Sequence, residues 1–175
     1  TWIGTKPELR PDVSLVGVLD ADWLIRRPDF RSSESAYQAL VEMAEWAGPA
    51  SDGGRLVVQS SDPSHHTIQA LVRADYDFFL EREAAVRREL SYPPFTGLIK
   101  LSARGPDART TLGDVLGRLS ARGVTVLGPV ARGAPQPGAE VLLKCEDTHA
   151  VALELRGILG SMTRATSIAV DVDPR

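Results

Sequence analysis

The stretch that decides the fold is "TGLIKLSARG" at residues 96–105. Apolar and polar residues alternate along it, and this period of two is typical of a strand with one buried face. An amphipathic helix is predicted directly afterwards, over residues 107–122. Its apolar face consists of Leu112, Val115, Leu116 and Leu119. A strand followed at once by such a helix indicates a mixed domain built around one sheet.

Four more segments complete this domain. Strands are predicted at 124–129, 140–146 and 166–174, and a helix at 148–162. The loop between the first two of these strands, "VARGAPQPGA" at 130–139, is rich in glycine and proline and carries Arg132. The resulting order β-α-β-β-α-β predicts an α+β domain of the split-βαβ type.

The chain before residue 96 has a different pattern. "VSLVGVLDAD" at 13–22 is an apolar run with β-branched residues, which predicts a buried strand in a parallel sheet. A helix capped by Ser32 or Ser33 is expected over about 34–47, and "RLVVQS" at 55–60 predicts a second strand. Strand, helix and strand in this order indicate an α/β unit.

Two helices connect the two parts, at 62–73 and 75–92. "YPPF" at 92–95 ends the second helix, because proline has no amide donor and restricts the preceding residue. We therefore predict a domain boundary there, with connecting helices over 61–92.

Composition and charge also point to two parts. The fractions of hydrophobic and charged residues, 43 % and 25 %, are ordinary for a globular protein, and no apolar run is long enough to span a membrane. Residues 1–90 have 10 basic and 15 acidic residues, a net charge of −5; residues 91–175 have 10 and 8, a net charge of +2. The second part is thus the better candidate for nucleic-acid binding. The single cysteine, Cys145, is predicted to be a buried strand residue in a reducing compartment.

Several motifs occur together in one order: "LVGVLDAD", "PDFRSSE", "LVVQSSDPSH", "RRELSYPPF", "VLGPV" and a terminal "VDVDP". In this combination the chain resembles, over essentially its whole length, the C-terminal part of the primosomal protein N′ (PriA) family of bacterial replication-restart proteins. The resemblance implies that residues 1–60 are the tail of the second RecA-like lobe of a helicase core. It also implies that residues 93–175 are a DNA-binding domain.

Partners and location follow from the same resemblance. Members of the family bind forked or single-stranded DNA and other primosome proteins. A monomer of the bacterial cytoplasm, associated with the nucleoid, is therefore expected. The family carries a cysteine-rich zinc module in its helicase core. None of its cysteines are in this chain, so the module either lies upstream of residue 1 or is absent, and no cofactor is expected in this chain.

One helix departs from the family pattern, at "EMAEWAGP" (42–49). Helicase members have Q-x-x-G-R-x-G-R there, and the arginines reach the γ-phosphate of ATP. In this chain Glu42 stands at the glutamine, Glu45 at the first glycine, Trp46 at the first arginine and Pro49 at the second. Such an arginine contributes a factor of about 10³–10⁵ to the rate, whereas Trp46 offers one indole N–H and Pro49 no amide donor. No catalytic residue is predicted, and ATP hydrolysis is not expected.

A second loss lies in "IGTKPELRPD" (3–12), which lacks the K-G-H-D-F run of the family. Together the two losses predict a pseudo-helicase that keeps binding surfaces without ATP hydrolysis. Two alternatives stay open. One is an active ATP-dependent helicase with an arginine supplied from elsewhere, and the other is a protein-interaction module that does not touch DNA.

The candidate DNA contacts are Lys100, Arg132 and Lys144, with a solvated surface as the alternative. Lys144 matches "LLK" of the family. Tyr92 and Phe95 are the only nearby aromatic residues for base stacking.

No metal site is predicted. Asp20 and Asp22 share one strand face but have no third ligand nearby in the sequence. His65 and His66 are adjacent at a helix start and point about 100° apart, so they are expected to cap the helix or to lie on the surface.

Overall fold

A computed structural model describes residues 13–133, 137–162 and 167–174. The chain divides into two compact units, Thr1–Val86 and Arg87–Arg175. The elements, in chain order, are β1 (Leu15–Val18), α1 (Asp22–Ile25), α2 (Ser32–Trp46), a 3₁₀ turn (Ala50–Asp52), β2 (Arg55–Val58), α3 (His66–Arg73), α4 (Tyr76–Glu89), β3 (Gly97–Arg104), α5 (Ala108–Arg118), β4 (Val124–Arg132), β5 (Gly138–Cys145), α6 (Thr148–Ser161) and β6 (Ile168–Val172). None of the helices in the described ranges is long and apolar enough to cross a bilayer.

The division between the units lies inside α4 and not at "YPPF", where the sequence placed it. The residues just after Val86 pack on the second unit, which explains the difference. The Arg88 guanidinium lies 4.5 Å from the centroid of the Phe95 ring, and Lys144 Nζ donates a hydrogen bond to the Leu90 carbonyl at 2.6 Å. The three-part assignment of residues 1–60, 61–92 and 93–175 to a lobe, a connector and a DNA-binding domain stays a prediction.

In the first unit, β1 and β2 pair in parallel, as the sequence predicts. The predicted burial of the first strand is wrong, because β1 alternates between exposed and half-buried residues and Leu15 is 60 % exposed. A parallel strand is buried on both sides only where helices cover both faces of its sheet. Leu15 of β1 and Val57 of β2 lie on the same face of this two-stranded sheet and are 60 % and 58 % exposed, so the described residues leave that face uncovered.

Two small cores hold the first unit together. One consists of Ala21, Ile25, Ala36, Leu40 and Ile68, and the other of Tyr37, Ala70 and Phe79. The rings of Tyr37 and Phe79 stack with centroids 4.4 Å apart, so α2 is joined to α4 through aromatic contact. The serine cap predicted for α2 is wrong, since Arg31 precedes the helix and no side chain caps it. The RecA-like origin of this unit stays a prediction.

The second unit is a four-stranded antiparallel sheet in the order β4-β5-β3-β6. β3 and β5, the first and third strands of the unit, lie in the centre of the sheet. β4 and β6, the second and fourth, form its edges. This arrangement results when two β-α-β segments are interleaved in one sheet. The mixed α/β class and the β-α-β-β-α-β order predicted for this region are confirmed.

The core of the second unit lies between the sheet and its two helices. Ile99 and Leu101 on β3, Leu143 on β5, Leu112 on α5 and Leu155 on α6 are all fully buried in one cluster. Because side chains alternate along a strand, the residues between these positions face away from the helices. The sheet therefore has one helix-covered face and one face without helices, which we call the open face.

Cys145 belongs to the helix-covered face and is fully buried at the end of β5, as predicted. Burial raises the pKa of its thiol. These properties are those of a packed core residue.

Arg132 is not on a loop, as the sequence suggested, but on β4, where it lies opposite Gly138 of β5. The ladder between β4 and β5 is irregular between Leu127 and Val130 and then resumes. The Gly128-Pro129 pair thus marks an irregularity inside a strand and not its end.

Candidate nucleic-acid interface

The open face of the second unit carries most of the polar side chains of its sheet. The registers place Lys100 of β3 opposite Leu142 of β5 and Asp171 of β6, and Ser102 opposite Glu140. A groove of about 850 Å³ crosses this face. Its charged and polar lining consists of Lys100, Ser102, Arg104, Arg132, Glu140, Ser167 and Asp171. Three cations and two carboxylates thus share one groove.

Lys100 lies near the middle of this groove, because β3 is a central strand. It is half-buried, and none of the described residues forms an ion pair or hydrogen bond with its ammonium group. An ammonium group without an internal partner remains available for an anionic ligand. Lys100 therefore fits the role that the sequence suggested for it, which stays a prediction.

Arg132 reaches the same groove from the edge strand β4 but is already paired. Its Nη1 lies 3.3 Å from Oε1 of Glu140, and the same carboxylate oxygen accepts a hydrogen bond from Ser102 Oγ at 3.0 Å. The side chain of Arg132 is 62 % exposed and that of Glu140 28 %. An ion pair exposed to this degree contributes about 0–1 kcal/mol, so a competing anion meets a small barrier.

Lys144 lies on the open face but not in the groove lining. Its Nζ donates to the Leu90 carbonyl at 2.6 Å and lies 3.6 Å from the centroid of the Tyr92 ring. Burial lowers the pKa of Lys144. Of the three predicted DNA contacts, the structure brings Lys100 and Arg132 into one groove and places Lys144 in an internal contact.

The sequence analysis did not single out Arg104, Ser102, Glu140 or Asp171. For Ser102 and Arg104 the signal was the period of two in β3: since Lys100 faces the groove, these two residues do so too. Glu140 and Asp171 depend on strand order and register, which the sequence does not state.

Base stacking has little support in this groove. None of the residues that form β3, β4, β5 and β6 is aromatic. Tyr92 is half-buried beneath Lys144, and Phe95 is 40 % exposed with Arg88 over its ring. The face is thus suited to contacts with phosphate groups, which need cations and not stacking platforms.

The comparison with known families concerns the same unit. Residues 88–175, 88 of the 175 in the chain, match the family model described as primosomal protein N C-terminal domain. The chain belongs to this family. We refer to it below as the PriA family.

Three relatives carry the name replication restart protein PriA. The protein from Bacillus subtilis is 45 % identical over 49 % of this chain and 11 % of its own length. The one from Synechocystis is 30 % identical over 93 % of this chain and 21 % of its own. The one from Treponema pallidum is 30 % identical over 94 % of this chain and 27 % of its own. The chain therefore spans about a quarter or less of the length of these relatives.

The degenerate motif of the first unit lies at the end of α2 and just after it. Glu42 is half-buried, and Glu45 and Pro49 are exposed. Trp46 is half-buried, and its indole Nε1–H is enclosed with no hydrogen-bond partner in the described part of the chain. At the two positions where the resemblance places arginines, the chain therefore has an indole and a proline, and neither side chain carries a positive charge. The eroded loop at 3–12 lies outside the described residues.

The acidic pair Asp20 and Asp22 binds local hydrogen-bond donors. Asp20 accepts from the amide of Trp23 at 3.2 Å. Asp22 accepts from Ser60 Oγ at 2.6 Å, from Ser61 Oγ at 2.5 Å and from the Ser61 amide at 2.8 Å. The hydrogen bonds from Ser60 and Ser61 hold the pKa of the Asp22 carboxyl well below its usual range.

The two histidines differ in role. His65 caps α3, since its Nδ1 accepts from the amide of Thr67 at 3.3 Å, as the sequence predicts. His66 is not a surface residue: its Nε2 lies 2.9 Å from Oε2 of the buried Glu83. Within the described ranges, no three His, Cys, Asp or Glu side chains are grouped so that they could hold a metal ion.

Proposed function

We propose that this chain is part of a replication-restart protein and binds branched DNA through the open face of its second unit. Membership of the PriA family supports the first half of the proposal, since the relatives carry replication restart in their names. The observation that carries the second half is the groove, which Lys100, Arg104 and Arg132 line together on a sheet whose strands contain no aromatic residues.

In this proposal the groove binds the DNA backbone through the positive charges of its lysine and arginine side chains. Each lysine or arginine that neutralises a phosphate releases a condensed counterion, and binding weakens as the salt concentration rises. Three cations on one rigid sheet fix the register of a backbone without reading its bases. Such contacts suit a protein that recognises the shape of a fork in any sequence.

We further propose that the protein assembles other primosome proteins on the fork as a monomer in the bacterial cytoplasm and does not hydrolyse ATP. The support for the last point is the replacement of both arginines by Trp46 and Pro49. ATP hydrolysis stimulated by DNA in the full-length protein would refute it.

A direct test is to measure the affinity of the 175-residue chain for a forked duplex at 50 and 200 mM salt. We expect binding that weakens at the higher salt, and Lys100→Gln is expected to lower the slope of log K against log salt by about 0.9. Arg109→Gln on α5 has the same charge change on an exposed position of another element and serves as the control. Absence of binding at 50 mM, or a slope of zero, would favour a protein-interaction module instead.

A further inference from the structure

Glu140 occupies an unusual place for a carboxylate, because it lies in the groove that the three cations line. Its Oε1 holds Arg132 Nη1 at 3.3 Å and Ser102 Oγ at 3.0 Å. These two contacts come from both neighbouring strands, β4 and β3, so the carboxylate is fixed over the sheet. A phosphate oxygen would seek the same two donors.

Carboxylate and phosphate bind the guanidinium fork of arginine in the same way, through parallel N–H···O bonds. Arg132 therefore cannot give its full fork to a phosphate while Glu140 holds it. The pair is also partly exposed, so exchange of one anion for another requires little desolvation.

We infer that Glu140 is an internal competitor of the DNA backbone, which withholds Arg132 from phosphate until the backbone displaces the carboxylate. This inference rests on the proposed function of the groove. It assigns to Glu140 the role of setting affinity: the groove binds DNA through Lys100 and Arg104 first, and gains Arg132 only when Glu140 is displaced. The competing role, in which Glu140 positions Arg132 for the ligand, predicts the opposite effect of its removal.

The test is a double-mutant cycle on the 175-residue chain, with a forked duplex as the probe. Glu140→Gln keeps a side-chain oxygen for Ser102 but removes the charge that holds Arg132. We expect it to tighten binding by about three- to tenfold at low salt and to steepen the slope of log K against log salt by about 0.9, the value of one added phosphate contact. In the Arg132→Gln background, Glu140→Gln is expected to increase the DNA affinity by much less.

Two matched variants separate release of Arg132 from a general change of charge. Asp171→Asn removes the other carboxylate of the groove, which has no ion-pair partner among the described residues. Its effect should not depend on Arg132. Asp114→Asn makes the same charge change at an exposed position on α5 and is expected to leave binding within twofold of wild type.

Unchanged or weaker binding by Glu140→Gln would overturn the inference, as would an equal gain with and without Arg132. Thermal melting of each variant shows that folding is retained. If the wild-type chain binds DNA and Lys100→Gln weakens it, while Glu140→Gln gives no gain, only this inference fails. If the wild-type chain shows no salt-dependent binding at all, the proposed function fails and the inference with it.

Discussion

The ammonium group of Lys144 is bound by residues of its own unit. It donates a hydrogen bond to the Leu90 carbonyl and lies over the ring of Tyr92. The sequence correctly places Lys144 on a strand. Its hydrogen-bond partner Leu90, however, is 54 residues away in the sequence. Such a contact leaves no local pattern in the sequence.

Lys144→Gln is expected to destabilise the second unit by about 1–3 kcal/mol, since it removes a charged hydrogen bond and a cation–π contact. Its effect on DNA affinity should be smaller than that of Lys100→Gln. Thermal melting and fork binding of both variants measure this. A Lys144→Gln chain that melts like wild type, yet binds DNA as weakly as Lys100→Gln, would show that Lys144 contacts DNA instead.

His65 links the stability of the first unit to pH. Burial lowers the pKa of His65 below its usual value of 6.5, followed by the effect of the neighbouring His66. The capping bond from the Thr67 amide also needs an unprotonated Nδ1. The unfolded chain thus binds the proton more readily than the folded one.

The contribution of His65 to stability is therefore complete above about pH 6.5 and is lost as the pH falls through that value towards the lower pKa of the folded state. Hydrogen exchange of the α3 amides at pH 7.5 and 5.5 measures the change. His65→Asn keeps a capping side chain without the titration, and should show a smaller loss of protection. The same loss in both chains would assign the pH dependence to groups other than His65.

At the scale of the element, the period of two in β3 carries most of the prediction. Although Leu98 on the open face is buried as well, the period separates Ile99 and Leu101 of the core from Lys100 and Ser102 of the open face. It fails for β4, because the Gly128-Pro129 pair looks like the end of a strand. It also fails for β1, since four apolar residues in a row do not tell whether both faces of the sheet are covered.

Two neighbouring leucines of β5 test this alternation. Leu143 is fully buried against the helices, whereas Leu142 is half-buried on the open face. Leu143→Ala is expected to destabilise the second unit by about 2–5 kcal/mol, because a cavity remains in the core, and Leu142→Ala by clearly less. Denaturant unfolding followed by amide signals of β3 compares the two. Equal losses would mean that the open face is covered as well as the core is.

At the scale of the whole molecule, the charge difference between the two parts of the sequence favours the second part as the DNA-binding one, which stays a prediction; the groove with three cations lies in the second unit. Alternation along β3 places Lys100 and Arg104 on one face, but Arg132 joins them only through the register of β4 on β5 and of β5 on β3, which could not be predicted. The place of Glu140 in the groove could not be predicted for the same reason, although Glu140 forms the ion pair with Arg132. Family membership supports a role in replication restart. The cations of the groove are the basis for the proposed contacts with phosphate groups.

The central claim is that DNA lies on the open face of the second unit, and amide and side-chain chemical shifts on titration with a forked duplex test it most directly. The account predicts that the shifts concentrate on β3, on the Arg132 end of β4 and on the Glu140 end of β5. Residues of α5 and α6 should stay largely unchanged. Shifts confined to those helices or to the first unit, with the signals of Lys100 and Arg132 unmoved, would contradict it.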